Sequence, residues 1–256
     1  MKSNATKSVQ RQKESVQKLV FASLFAGLSV ALKPFEFYFS NDLRFNLIEV
    51  PIIMSGIALG PFWGAAVGGV ADIINYLIKP AGAFNVGFTI SLALCGALPG
   101  VMYSFMRKQK GKSQRAASIA VFIAVFAAAF FYMGRSGFFT IQDGTLYLRS
   151  NPVSWVIVAV LAAIVAGSGI ALATFYRRYD SPEVLIKPHK VLFCVAAAEI
   201  CTSLILNSLL LYYMYGPGTA VTFPIRVLKV AVAIPVFTTI CVALLNAIAK
   251  RKLIRF

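Results

Sequence analysis

Acidic residues are scarce in this chain: nine Asp and Glu stand against 25 Lys and Arg, for a formal net charge of +16 over 256 residues. Histidine is scarcer still. His189 is alone, in a segment read as a loop, which leaves no His-based metal centre and no His-containing triad. The four cysteines, Cys95, Cys194, Cys201 and Cys241, all fall within apolar runs and form neither a CxxC pair nor a Cys/His spacing that would chelate zinc. They read as small buried apolar residues. No GxxxxGK[ST] loop is present, so the chain is not itself a P-loop motor. No small-residue cleavage site follows the first apolar run, unlike a cleaved signal peptide.

What the chain has in abundance is hydrocarbon. Hydrophobic residues make up 59% of it and the mean hydropathy is +0.76, well above the roughly 45–50% apolar content of an average soluble domain. Each membrane crossing needs about 20 apolar residues, and the sequence accommodates about eight. The expected fold class is an all-α integral membrane protein, a single membrane domain over residues 1–256.

Of the 25 basic residues, 18 fall in four clusters: Lys2 to Lys18, Arg107 to Arg115, Arg177 to Lys190, and Lys250 to Arg255. If the spans alternate in direction, all four clusters lie on one side, as the positive-inside rule requires of the cytoplasm. Both termini are then cytoplasmic, residues 1–17 forming a cytoplasmic tail. The clusters set topology and touch anionic headgroups. No aromatic-interleaved basic face points to nucleic acid.

In chain order, the spacing predicts span one from about Lys18 to Leu32, with Ala22 and Ala26 four apart, where small residues let a helix backbone approach closely. That neighbour is either another helix of this chain or a partner. An aromatic loop, residues 33–46, precedes a short span two (about Leu47 to Leu59) that opens with Glu49 and Pro51, the pattern of a broken helix near a transporter site. Gly60-Pro61 turns into span three, residues 62–79, where Gly64, Gly68 and Asp72 share a face, followed by Asn75 and Tyr76. An acid at mid-membrane costs roughly 2.5–3.5 kcal/mol on insertion scales, so Asp72 needs a hydrogen-bonded neighbour helix or a wet cavity.

The loop KPAGAFNVG, residues 79–87, leads into span four (about Phe88 to Tyr103), with Pro99-Gly100 near its end. Spans five (about 116–133) and six (about 153–176) flank an outer loop and carry no obvious chemistry. Span seven, about 191–214, holds Glu199, Ser203 and Asn207 at intervals of four. Span eight carries Arg226 and Lys229 three apart near its outer end, with Pro235 below. The two cations either snorkel to headgroups or converge with Asn207 on an anionic ligand through charge-assisted contacts.

Three patches resemble the membrane-embedded S components of energy-coupling factor vitamin transporters, most closely the folate-specific type. They are Ala22-x-x-x-Ala26; residues 51–100, with a Gly-Pro joint, a Gly-rich helix bearing Asp72 and the loop P-x-G-x-x-N-x-G-F-T; and residues 206–235, with Asn207 followed by P-x-R-x-x-K. A typical member has six spans. The extra pair here, residues 116–176, reads as an inserted helical hairpin.

The resemblance implies a substrate-binding subunit, not an enzyme, in a bacterial cell membrane. It takes up folate or a related anionic vitamin such as pantothenate, with no cofactor of its own. Its partners are a transmembrane T component, met at Ala22 and Ala26, and two ATPases that use ATP. The substrate residues expected are Asn207, Arg226 and Lys229 for carboxylates and Asp72, Asn75, Tyr76 and Asn85 around the ring. Two readings from other classes stand beside it: an integral membrane enzyme acting on lipid-like substrates, which wants paired carboxylates at one depth, and an assembly factor binding partner helices.

Overall fold

The computed structural model describes residues 2–35, 37–38, 44–80, 84–108, 184–216 and 223–251, with isolated helical positions and three short strands between 120 and 177. Most of the hairpin at 116–176 therefore lies outside the described residues. The described chain is mainly helical. Helix α1 (Lys2–Ala31) runs unbroken from the tail through the first apolar run. Residues 2–17 contain no Gly or Pro and include three Lys and three Gln, so nothing stops helix propagation.

A short hairpin of β1 (Phe37–Tyr38) and β2 (Arg44–Phe45) leads into α2 (Glu49–Leu59). With 11 residues, α2 is about 16 Å long and cannot cross a membrane alone. Gly60 breaks the chain with φ 101°, a conformation that suits glycine. Pro61 then opens α3 (Pro61–Ile78) at its first position, where no N–H is needed. Helix α4 (Val86–Lys108) is capped by Asn85, whose Oδ1 accepts from the Gly87 N–H at 2.8 Å.

Between 120 and 177, β3 (Phe139–Gln142), β4 (Thr145–Leu148) and β5 (Asn151–Val153) form an antiparallel meander, with Phe139 opposite Leu148 and Leu146 opposite Val153. The sequence there was expected only to loop. Asp143-Gly144, a favoured hairpin dipeptide, separates the first two strands.

The last third of the chain is α5 (Pro188–Glu199), a π-helical segment (Ile200–Leu206), α6 (Asn207–Tyr215) and α7 (Phe223–Lys250). Among the described residues four helices are long and apolar enough to span a bilayer: Pro61–Ile78, Val86–Arg107, Pro188–Tyr215 and Lys229–Lys250. In the α7 span 56% of the apolar window is buried, against 28% for α3 and α4, so α3 and α4 each turn a larger share of their surface outward. Phe62, Leu77, Ile90 and Phe105 accordingly face outward, as lipid permits.

Glycines decide how α2, α3 and α4 meet. A Cβ on Gly56, or on Gly64, would run into the carbonyl oxygen of Gly96, and one on Gly68 into that of Leu92. Helices α3 and α4 thus lie antiparallel with backbones in contact, the packing that small residues allow in lipid. Around this seam Ile52, Ile53, Ala71, Cys95, Cys194, Phe237 and Cys241 form the core.

Gly64→Ala and Gly96→Ala are expected to lower thermal stability in detergent, by about 1–3 kcal/mol each, through backbone displacement. Gly69→Ala, where a Cβ meets nothing within 4 Å, should leave the melting temperature unchanged or raised, since alanine is the better helix former. Equal melting temperatures for all three variants would refute the seam.

Candidate functional site

Two clamps fix the register of the helices around the interior. At one end of the bundle the Lys190 ammonium donates to the Met106 carbonyl at 2.9 Å. There the Asn246 amide also accepts from the Ile186 N–H and donates to the Ile186 carbonyl, both at 3.1 Å. At the other end, here called the upper end, Asn85 Nδ2 meets the Met214 sulfur at 3.0 Å, and Gly87 packs against Leu210. Helix α4 therefore runs antiparallel to the α5–π–α6 helix along its length. Counting inward from these clamps sets Ser91 opposite Leu206 and Asn207, and Cys95 opposite Thr202, a contact the structure makes. On α7, Lys229 lies within electrostatic reach of Glu199 and Cys95.

The deeper layer is charged. Lys229 Nζ lies 3.6 Å from Glu49 Oε1, their side chains only 12% and 7% exposed. Glu199 is fully buried and within electrostatic reach of both, with Ser203 and Cys95 in the same layer. The second oxygen of Glu49 and both oxygens of Glu199 make no well-formed hydrogen bond, although Glu199 lies within side-chain reach of Glu49 and Ser203. Two carboxylates thus face one ammonium in a medium of low dielectric. Glu49 owes this position to α2 starting deep in the bundle, its first turn pinned by Ser29 Oγ donating to the Ile48 carbonyl at 3.0 Å. An acid in a helix's first turn is favoured by the helix dipole.

Glu199 sits at the edge of the π segment. Such segments are rare and break the i, i+4 spacing. In a regular helix Glu199, Ser203 and Asn207 would form one stripe. Here Thr202 and Ser203 are both buried, Thr202 Oγ1 donating back to the Ala198 carbonyl at 2.8 Å. Asn207 comes out only half-buried, and Cys201 is turned outward, against the expectation that all four cysteines are buried.

One turn higher lies a neutral polar layer. Ser91, four residues above Cys95 and so on the same face of α4, is buried with its hydroxyl unpartnered. Asn207 Oδ1 and Ser208 Oγ are likewise unpartnered, and Asn75 is buried with neither amide atom bonded. Asp72 is held instead by α4: Thr89 Oγ1 donates to its Oδ2 at 2.6 Å. Tyr76 meets Phe84 edge to face, centroids 5.0 Å apart.

The residues expected from sequence divide as follows. Asn75 and Asn207 carry buried polar atoms without partners, Asp72 and Asn85 are engaged by Thr89 and by Gly87 and Met214, and Lys229 is engaged by Glu49. Arg226 is half-buried on α7. Ala22 and Ala26 are buried in the chain's own core, so the close approach their size permits is used internally. His189, expected in a loop, is buried in the first turn of α5. Ser91 and Thr89 were missed as site residues, although Thr89 closes the quoted loop motif and Ser91 shares the face of Cys95.

Lys229→Met is expected to destabilise the protein by about 3–5 kcal/mol, because it strands two carboxylates in the interior. Adding Glu49→Gln should recover much of the loss in thermal unfolding. Simple additivity of the two changes would show that they do not interact.

Comparison with known proteins bears on this arrangement. The family described as ECF transporter, substrate-specific component, matches residues 17–176, well over half of the chain, and the match takes in the region 116–176. The folate transporter FolT of Clostridium novyi (strain NT) is 26% identical over 90 residues, 35% of this chain and 52% of that protein, so the match spans about half the relative's length. In structure the chain is similar to a FolT crystal structure bound with folic acid, with a TM-score of 0.51, 16% identity, and coverage of 90% of this chain and 94% of that one. This likeness extends the shared fold to α5–α7, beyond the family match. Glu49 and Glu199 do come together at one depth, yet the family is one of transport subunits and the enzyme reading falls with it. The multi-pass helical chain, built around a buried polar layer, belongs to the substrate-specific components of ECF transporters.

Proposed function

We propose that this chain captures folate, or a closely related anionic vitamin, from the extracellular side of a bacterial cell membrane for ATP-driven uptake. The observation that carries the reading is the set of buried polar atoms without partners on Asn75, Ser91, Glu199, Asn207 and Ser208. Buried polar groups are nearly always bonded, and each one left open costs about 1–3 kcal/mol. A ligand rich in donors and acceptors would satisfy them. The upper end, with Lys79, Asn85 and Gly216, faces outside. In this topology the chain crosses about eight times, both termini are cytoplasmic, and 116–176 is a hairpin added to a six-helix core.

Within the site, Arg226 is the cation for ligand carboxylates, assisted by the Asn207 amide at a similar height. Asp72 and Asn75 border the ring, and Tyr76, edge to face with Phe84, stacks against it. Lys229 enters through its pair with Glu49. A T component and two cytoplasmic ATPases complete the transporter, and ATP is bound there. Since Ala22 and Ala26 are occupied internally, the T component would meet the neighbouring exposed stripe of α1. There Ser23 and Gly27 are four apart, and a Cβ on Gly27 meets nothing within 4 Å.

Purified protein screened against water-soluble vitamins by thermal shift should respond to folic acid, and Arg226→Ala should weaken binding roughly ten- to a hundred-fold, the worth of a charge-assisted contact. A response to pantothenate alone would redirect the reading to another vitamin; no response to any vitamin would overturn it. Gly27→Leu should leave the isolated chain as stable as wild type but abolish its co-purification with a T component and ATPases. Unchanged co-purification would exclude this face of α1.

A further inference from the structure

The deepest layer of the interior is richer in acceptors than in donors. Glu49 Oε2 and both oxygens of Glu199 make no well-formed hydrogen bond, although Glu199 lies within side-chain reach of Glu49 and Ser203. The ammonium in reach, Lys229, is engaged with Glu49 Oε1 at 3.6 Å. A ligand carboxylate brought to this depth would meet two acids for one base, and like charges at close range in a low dielectric repel strongly. The anionic end of a ligand is therefore excluded from the floor, although Lys229 read from sequence alone suggests the reverse.

What the floor fits is a donor edge. We propose that Glu199 is a specificity-determining residue that accepts the paired N–H groups of a planar amidine-type heterocycle, such as the 2-amino-4-oxopyrimidine edge of a pterin. The ligand then enters ring first and keeps its carboxylates at the upper end. Independent of the two acids, Ser91 Oγ is 1% exposed as a residue, unpartnered, and one turn above Cys95 on the α4 face that lines this layer. Ser91 gives the ring a further donor and acceptor above the floor. The π segment supplies the geometry, since it lets Glu199 and Ser203 face the interior from adjoining turns. Lys229 is then a positioning residue that holds Glu49 and keeps the layer from carrying two uncompensated charges.

This inference rests on the folate-class reading and is tested so that the two can fail separately. Binding of folic acid, pterin (2-amino-4-oxopteridine) and lumazine (2,4-dioxopteridine) to the full chain in nanodiscs is measured by calorimetry. Pterin and lumazine share a ring and lack carboxylates, differing at the 2-position and its adjoining ring nitrogen, so their comparison isolates the floor. Wild type should favour pterin by roughly ten-fold or more. Glu199→Gln, which places an amide donor against the ligand's donors, should abolish that preference and weaken folic acid roughly ten- to a hundred-fold. The wild-type preference is decisive even if the variant does not fold. Folic acid binding with lumazine favoured equally, or with Glu199→Gln unaffected, overturns the inference and leaves the proposed function standing. Stabilisation by sodium that depends on Glu199, with no discrimination between the two rings, would assign the acids to a cation and also overturn it. Failure to bind any vitamin overturns both.

Discussion

The glycine seam between α2, α3 and α4 is the constraint from which the rest of the interior follows. With no Cβ on Gly56, Gly64 and Gly96, three backbones reach contact at one level. Dispersion between closely set backbones replaces the hydrophobic drive that lipid does not provide. Close contact on this side leaves the opposite face of α4, with Ser91 and Cys95, turned toward α5, the π segment and α7. It also holds α2 deep in the bundle. A helix of 11 residues could not otherwise deliver Glu49 to a layer shared with Glu199 and Lys229.

That layer is costly to keep. Buried ion pairs seldom repay their desolvation, and a second carboxylate without a counter-charge makes the balance worse. Interiors that keep such groups in membranes are generally functional, and the open oxygens here lie below a layer of equally open hydroxyls and amides. The gradient from acceptor-rich floor to cation near the upper end gives a ligand one favourable orientation. A ring with N–H groups and a tail of carboxylates matches it in both halves.

Much of this could be read from the sequence because it depends on local spacing. Gly60-Pro61 marks a joint whatever surrounds it, and the Gly64, Gly68, Asp72 face is set by helical periodicity. Asn85 two residues before Gly87 is a cap by its chemistry. The α5–α6 stripe was harder to read. Intervals of four among Glu199, Ser203 and Asn207 describe an α-helix, and nothing in those residues announces a π segment, whose widened turns redistribute the face. Ala22 and Ala26 show the same limit: small residues four apart signal close approach but not which helix approaches.

The sequence by itself determined the solvent, the helical class, the basic clusters and the family resemblance, all of which follow from composition and short-range pattern. Only the tertiary structure decided the partners of the charges. Glu49 and Lys229 are 180 residues apart in the chain yet lie at 3.6 Å, and no periodicity links them. Pairing across that separation depends on the depth at which a short α2 begins and on the antiparallel register of α5 and α7. It converts Lys229 from a free cation in the sequence into half of a buried pair, and Glu199 from one polar residue among several into the open acid of the interior.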